Sequence, residues 1–255
     1  MYSARFSKVA VRVVRDGLEV LREQLDLAQI MKLIEGTAMW VDRETFRYLP
    51  VWYPDQARGD LMYKANWSEP LHNTNKSTGH KVHKQVGNTS ASKTLTMALG
   101  LRLKDRPNWT CCHIWGIDDD TYQIPNTIVT DKRYFSCVAN MVLLPTPLKA
   151  FTDVMMEVKA MLRISAAYYY DWVPEDINLV SLAELEKMCD WDAYPSSWPR
   201  KGDPKELMGV VKLNDTIKRY ADKRKAAIFE SHNDAGQYYP RDEVNGVLKY
   251  WKVSE

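Results

Sequence analysis

The sequence predicts an α+β fold in which a small region of paired strands lies between helical segments at both ends of the chain. Two short apolar runs with strand character, near residues 108–113 and over 137–144, are followed at once by a strongly helical segment. Helical periodicity also dominates the first 35 residues and much of the last third of the chain. With 255 residues, 45% of them hydrophobic, the chain is long enough to bury a sizeable core.

The N-terminal region combines a helical segment with an aromatic one. Over residues 5–35 the apolar positions recur mostly every three or four residues, which predicts one or two amphipathic helices ending near Gly36. Residues 45–53, TFRYLPVWY, favour extended structure, but Pro50 interrupts them. We therefore expect an edge strand or an extended arm there.

A polar stretch follows over residues 64–90. Its composition is typical of a long loop or mobile arm, and a solvated linker is the favoured interpretation. The alternative is a basic arm that follows phosphates, because Lys76, Lys81 and Lys84 occur with no acid between them.

The centre of the chain predicts the order strand, loop, strand, helix. A short strand is expected after Pro107, then an excursion over 117–136 with turn residues, and a second strand over 137–144. Pro147 suits the first turn of the helix that follows over 148–164.

Further helices are predicted on both sides of this unit. Ser90 or Ser92 is expected to cap a helix that Gly100 ends or bends. A helix near 180–189, a tryptophan- and proline-rich loop, a basic helix and a capped C-terminal helix complete the chain. The predicted regions are an N-terminal helical and arm region, a polar loop with a helix, the central unit, and a C-terminal helical region, over 1–60, 61–106, 107–165 and 166–255.

Charge and hydropathy limit the class of protein. The net charge of +2, with a pI near 8.2, neither requires nor excludes nucleic acid as a partner. No apolar run approaches the roughly 20 residues that span a bilayer, and the N-terminus lacks the apolar block of a signal peptide. We therefore expect a cytoplasmic protein with no membrane partner.

The four cysteines are expected to be reduced thiols, because the sequence has no CxxC and adjacent cysteines rarely pair with each other. A zinc site that uses Cys112, His113 and Cys137 is conceivable, but the spacing matches no common zinc finger. Buried side chains of paired strands are the simpler interpretation.

Three polar residues of the central unit are candidates for chemistry. His113 ends the first strand, Asn140 stands inside the second, and Asp153 lies on the first turns of the helix. A neutral imidazole can accept a proton near pH 7, so His113 is a candidate general base. Taken singly, the three would be a half-buried histidine, a strand-end asparagine and a helix acid favoured by the dipole.

Together, the phrases CHIWG and FSCVANMVLLPTPLKAFTD, over 112–116 and 135–153, resemble the HNH, or ββα-metal, nuclease family and especially its restriction endonucleases. The resemblance covers about a fifth of the chain. It implies a ββα-metal core with N-terminal and C-terminal helical extensions. It also implies that His113 is the catalytic base, that Asn140 holds its orientation, and that Asp153 binds Mg²⁺ or Mn²⁺.

The sequence departs from the family pattern at two positions. Cys112 stands where an acid or histidine often binds the metal, and a thiolate is a poor ligand for magnesium. Lys149 replaces the last histidine of the family, so it is predicted to contact phosphate or stabilise the transition state instead. Asp119, within the acidic run 118–120, is the candidate for the missing ligand, and a solvated turn is the alternative.

The implied substrate is double-stranded DNA. Besides Lys149, the predicted DNA contacts are the basic residues before the motif and two after Trp198, namely Arg102, Lys104, Arg106, Arg200 and Lys201. A basic stripe over 212–225 is either a further phosphate surface or a solvated helix face.

The predicted function is a divalent-metal-dependent DNA endonuclease, in restriction or another form of phage defence. It would leave a 5′-phosphate and a 3′-hydroxyl. Because one active site cuts one strand, a homodimer is expected, with the N-terminal helices as its interface. The alternatives are a non-cleaving DNA-binding or assembly protein with a degenerate site, and a structural zinc protein.

Overall fold

A computed structural model describes residues 16–117, 127–176 and 179–254 of the chain. Helices and short strands occur together, so the predicted α+β class is confirmed. The helices are α1 (Gly17–Arg22), α2 (Leu27–Thr37), α3 (Arg43–Tyr48), α4 (Thr89–Ala98), α5 (Lys132–Phe135), α6 (Lys149–Val154), α7 (Met156–Tyr170), α8 (Leu182–Met188), α9 (Asp215–Asp234) and α10 (Arg241–Tyr250). The strands are β1 (Trp40–Val41), β2 (His72–Thr74), β3 (Lys81–His83), β4 (Trp109–His113), β5 (Met141–Pro145) and β6 (Val210–Val211).

The centre of the fold is the antiparallel pair of β4 and β5. Trp109 lies opposite Pro145 at one end of the pair and His113 lies opposite Met141 at the other. The first four residues of β5 are buried, and Met39 forms an additional bridge to Leu143 on its other edge. Strand β5 therefore runs through the core, and its hairpin partner β4 carries His113 to the edge of that core.

Two consecutive helices follow β5, where the sequence predicted one helix over 148–164. Met155, which is buried and has an extended backbone conformation (φ −114°, ψ 107°), separates α6 from α7. Helix α7 is buried along nearly its whole length, and two of its buried residues, Lys159 and Arg163, are charged. The break lets α6 stay at the surface beside β4 while α7 enters the core.

The aromatic segment 45–53 is not an edge strand, and that prediction is wrong for its first half. Thr45 and Phe46 are buried in α3, where the ring of Phe46 lies 5.4 Å from that of Tyr170 and 5.6 Å from that of Trp251. A helical turn places Phe46 in this aromatic cluster, so tertiary packing overrides the extended preference of the sequence. The second half is extended, with Val51 bridged to Cys137.

Several predicted helix ends also differ. Gly36 lies inside α2 rather than at its C-cap. Helix α4 begins after Asn88, and the hydroxyls of Ser90 and Ser92 are bonded elsewhere, to Gln56 and Arg106. Gly100 does follow the end of α4, with a φ of +68° that suits glycine.

The polar stretch 64–90 contains the antiparallel hairpin of β2 and β3, in addition to irregular chain. Near the C-terminus, Val210–Val211 pair in parallel with β1, and the basic helix begins only at Asp215. The helices predicted near 180–189 and at the C-terminus are confirmed as α8 and α10, although no side chain caps α10 at its N-terminus. Within the described ranges, no helix is both long and apolar enough to cross a bilayer.

Candidate active site around His113

The imidazole of His113 is held by the chain segment that connects β4 with β5. Its Nε2 lies 2.9 Å from the carbonyl oxygen of Phe135, and its ring is stacked against the Phe135 ring at a centroid distance of 5.8 Å. A carbonyl oxygen can only accept a hydrogen bond, so Nε2 carries the proton. In the neutral ring, Nδ1 is then the nitrogen with a free lone pair.

Burial keeps this ring uncharged. Burial is the main cause that lowers the pKa of His113 from 6.5 to about 4. The hydrogen bond to Phe135 opposes this shift, and the nearby charges of Arg58 and Lys159 add to it. The imidazole is therefore neutral at pH 7, although its side chain is only partly covered in the folded chain.

Asn140 fixes the backbone immediately after His113. It lies in a turn of 3-10 helix just before β5, rather than inside the strand as predicted, and its side chain is fully buried. Its Oδ1 accepts a hydrogen bond from the Trp115 N–H at 2.8 Å, and its Nδ2 donates to the Trp115 carbonyl at 3.0 Å. Its own carbonyl accepts from the Ile114 N–H at 3.0 Å. The segment that leaves β4 is thus locked to the start of β5.

His113 opens on a pocket of about 220 Å³ that also contains two other predicted site residues, Lys149 and Asp153. The structure adds two cations there, Arg58 and Lys159. The remaining lining residues are uncharged or buried neighbours of His113: Asn88, Cys111, Cys112, Gly116, Ile117, Val129 and Thr152. Three cationic side chains and one carboxylate line the described wall, so the pocket favours an anion.

Lys149 and Asp153 form an ion pair one turn apart on α6. Both side chains are substantially exposed, with relative accessibilities of 38% and 53%, and Thr152 between them donates to the Lys149 carbonyl at 2.8 Å. An exposed pair of this kind contributes little to stability. We therefore expect this ion pair to matter through its position in the lining of the pocket rather than through stability.

Arg58 and Lys159 were missed by the sequence analysis. Lys159 is buried on α7, next to Gly116, and its signal was a lysine among the apolar residues Val158, Ala160 and Met161. A lysine is almost never fully buried without a specific reason. Arg58 lies in an irregular segment, where it donates to Asn88 Oδ1 at 2.9 Å, and no local pattern marks it.

The thiols of all four cysteines are free, and Cys111, Cys112 and Cys137 are buried packing residues whereas Cys189 is partly buried. Burial raises the pKa of Cys112 to about 11, with Thr152 and Lys149 acting in the opposite direction, so the thiol is protonated at pH 7. Burial likewise raises the pKa of Cys111 and of Cys137. Among the residues that the structure describes, no group of three or more His, Cys, Asp or Glu side chains is arranged to hold a metal ion. Asp119 lies outside the described residues.

The other predicted DNA contacts differ in exposure. Arg106 is buried, and its guanidinium donates to Ser92, Thr96 and the Trp109 carbonyl, so the interior position of its side chain argues against a DNA contact. The side chains of Arg102 and Lys104 are exposed, the former paired with Asp105.

The two basic residues after Trp198 lie in a turn. The guanidinium of Arg200 lies over the rings of Trp191 and Tyr194, at 5.3 and 5.4 Å, and Lys201 is exposed. Both remain accessible in part, so the prediction that they contact DNA stays open.

Comparison of the chain with protein-family models finds no matching family, and comparisons with curated proteins and with solved structures find no match either. The chemical interpretation of the His113 pocket therefore depends on the residues that line it and on their geometry.

Proposed function

We propose that the chain is an endonuclease of the HNH, ββα-metal kind, which hydrolyses phosphodiester bonds of double-stranded DNA with His113 as general base. One observation carries the proposal. A neutral imidazole, oriented through its Nε2 by the Phe135 carbonyl, lines the same pocket as three cations, Arg58, Lys149 and Lys159. A phosphodiester is an anion whose cleavage needs both a base and positive charge, and this pocket offers both.

The arrangement of elements supports the same family. Strand β4 ends at His113, β5 pairs with it in the antiparallel direction, and α6 brings Lys149 and Asp153 back to the pocket. This is the strand, strand, helix order that the resemblance implies, with Asn140 as a positioning residue that holds the backbone after His113.

In the proposed reaction, Nδ1 of His113 accepts a proton from a water molecule. The water oxygen then forms a bond to phosphorus as the bond to the 3′ oxygen breaks. The 3′ oxygen takes a proton from solvent, which leaves a 5′-phosphate and a 3′-hydroxyl. A base with a pKa of about 4 is weak, so the surrounding cations must supply much of the stabilisation of the transition state.

Cationic side chains would hold the scissile phosphate. Lys149 is accessible at the pocket mouth, and a bound phosphate would compete with Asp153 for its ammonium group. Arg58 can present a planar guanidinium to two phosphate oxygens while it remains bonded to Asn88.

A divalent ion, Mg²⁺ or Mn²⁺, belongs to the proposal, but the described residues do not fit it by themselves. Among the lining residues that the structure describes, Asp153 is the one carboxylate, and the protonated thiol of Cys112 is a poor ligand for a hard cation. Asp119 is the candidate for a further ligand. The steps above are therefore assigned to the side chains of the chain alone.

The test is incubation of the purified protein with supercoiled plasmid and with phage DNA, in magnesium, in manganese and in chelator. We expect metal-dependent nicking or cutting that is lost in His113→Ala. The matched control is His232→Ala, because His232 is a partly buried histidine on α9 whose Nε2 has no hydrogen-bond partner among the described residues. Equal cleavage by both variants would refute the role of His113.

A second candidate function is a DNA-binding or assembly protein with a degenerate site that does not cleave. The specific observation in its favour is that Lys149 pairs with Asp153, the proposed metal ligand, while Cys112 occupies the neighbouring ligand position as a thiol. DNA binding without cleavage under every metal condition would support this function over the nuclease.

The homodimer is also a proposal. Its support is that one site of this kind cuts one strand. The apolar face of α2 is already used within the chain, since Ile30, Met31 and Ile34 are fully buried. Sedimentation of the protein at micromolar concentration, alone and with DNA, tests it, and a monomer under both conditions would contradict it.

A further inference from the structure

A basic hairpin projects from the chain close to the His113 pocket. We call residues 61–85 the arm. Its strands β2 and β3 pair with His72 opposite His83 and Thr74 opposite Lys81. Every residue from 72 to 85 is exposed, including Val82, which has a relative accessibility of 46%. The hairpin therefore has no buried apolar face of its own.

The arm begins and ends at the wall of the pocket. At its base, Leu61 bridges Gln85, and the Met62 N–H donates to the Lys84 carbonyl at 2.8 Å. The chain enters the arm just after Arg58 and leaves it just before Asn88. These two residues are hydrogen-bonded to each other at 2.9 Å, and both line the pocket that contains His113. A long polymer such as a duplex, with one phosphate in that pocket, would thus lie close to the base of the arm.

The charge of the arm has one sign over most of its length. From Pro70 to Lys104 the sequence contains no aspartate or glutamate, while the hairpin carries Lys76, Lys81 and Lys84. The structure gives none of these three lysines a salt bridge within the described part of the chain. Glu69, near the base, is paired with Lys64. The lysines are therefore available to a partner with negative charge.

Histidines add hydrogen-bond donors to the same surface. The rings of His72 and His83 lie side by side across the two strands, with a centroid distance of 4.5 Å, and His80 is exposed immediately before β3. A two-stranded hairpin is marginally stable alone in water, so a partner that binds both strands would also stabilise the hairpin.

We propose that the arm binds the sugar–phosphate backbone of duplex DNA beside the pocket. Its placement next to the scissile phosphate rests on the proposed function. Its affinity for backbone phosphates follows independently from three exposed lysines on an extended, acid-free hairpin. Backbone phosphates are the partner because these side chains are point charges and donors without an apolar pocket, which suits contacts that do not depend on base sequence.

The test measures DNA affinity as a function of salt concentration. Binding of a duplex oligonucleotide to the full chain is measured in chelator, in the His113→Gln background, from 50 to 300 mM salt. The arm variant is Lys76→Gln, Lys81→Gln and Lys84→Gln combined. The matched control removes three exposed lysines on other elements, Lys32→Gln on α2, Lys187→Gln on α8 and Lys249→Gln on α10.

A plot of the logarithm of the DNA association constant against the logarithm of the salt concentration has a negative slope. We expect this slope to be less steep by roughly 2.7 in the arm variant, since each lost phosphate contact contributes about 0.9. If the two proteins bind equally at 1 M salt, this corresponds to a loss of affinity of about 500-fold at 0.1 M salt. The control should change the slope by less than about 1. Urea unfolding of both triple variants checks that the substitutions leave the fold intact, and we expect free energies of unfolding close to that of the natural protein.

Several outcomes would overturn the inference: no binding of duplex DNA, equal slopes for the arm variant and its control, or a loss confined to single-stranded DNA or RNA. The nuclease proposal is judged separately by plasmid cleavage. A protein that shows the predicted slope change and never cuts DNA would support the arm and refute the nuclease. A protein that cuts DNA but whose arm variant shows an unchanged salt slope would refute only the proposal that the arm binds DNA.

Discussion

The side chain of Asn140 brackets the backbone of Trp115, accepting from its N–H at 2.8 Å and donating to its carbonyl at 3.0 Å. The same amide nitrogen donates to the Tyr134 carbonyl at 3.2 Å. Three chain segments therefore meet at one buried amide: the residues after His113, the loop that holds its ring, and the start of β5. An asparagine suits this position because it donates and accepts without a charge.

Replacement of Asn140 by alanine should destabilise the protein. It leaves buried partners on Trp115 and Tyr134 unsatisfied, which predicts a loss of about 3 kcal/mol in the free energy of unfolding. Urea denaturation measures this loss, and Asn245→Ala, an exposed asparagine on α10, is the control with an expected change under about 0.5 kcal/mol.

The role of Asn140 as a positioning residue has a second readout. Under conditions where Asn140→Ala stays folded, it should retain DNA affinity and lose cleavage, because the His113 segment moves while the basic surface stays. A variant with unchanged stability would show that the bracket around Trp115 is not needed.

His113 should make stability depend on pH. In the unfolded chain its pKa is near 6.5, whereas in the folded protein it is about 4, so the unfolded state binds the extra proton first. This contribution is fully present above pH 6.5 and is lost as the pH falls to 4, with a total of at most about 3 kcal/mol.

The measurement is the free energy of unfolding of the natural protein minus that of His113→Gln, from pH 7.5 to 4. Glutamine keeps an N–H donor for the Phe135 carbonyl and does not titrate. The subtraction removes the contribution of carboxylates, which titrate in both proteins. A difference that stays constant over this range would mean that the imidazole is not protected from solvent as the structure indicates.

The sequence predicted those elements in which apolar residues recur at a regular spacing. Strands β4 and β5, and helices α8 and α10, were found because their apolar residues follow one period. The segment containing Phe46 was misread because a distant aromatic cluster, not local preference, decides its conformation. The family resemblance assigned His113, Lys149 and Asp153 to one site, and all three line the same pocket. Arg58 reaches the pocket through an irregular segment, and nothing periodic could have placed it there.

Lys149 and Asp153 should matter for activity and hardly at all for stability. Exposed pairs one helical turn apart contribute about 0.5 kcal/mol or less, so Lys149→Gln and Asp153→Asn should unfold almost like the natural protein. If Lys149 stabilises the transition state, its loss should lower the rate of plasmid nicking by about 100-fold.

The control for this pair is Arg47→Gln, which breaks the exposed ion pair between Arg47 and Glu44 on α3. Its rate of nicking should equal that of the natural protein. Full activity in Lys149→Gln would instead show that Lys149 has no role in cleavage and that its ion pair with Asp153 is a solvent-exposed helix contact only.

Arg106 and Lys104, two residues apart, should respond in opposite ways. Arg106 is buried with its guanidinium bonded to Ser92, Thr96 and Trp109, so Arg106→Lys should cost about 3 kcal/mol of stability and leave the salt dependence of DNA binding unchanged. Lys104 is exposed, so Lys104→Gln should change stability by less than about 0.5 kcal/mol and reduce the salt slope by roughly 0.9. Urea unfolding and DNA titration of both variants measure the two quantities side by side. A salt slope that changes in Arg106→Lys but not in Lys104→Gln would show that Arg106, and not Lys104, contacts DNA. That result would contradict the structural role of Arg106.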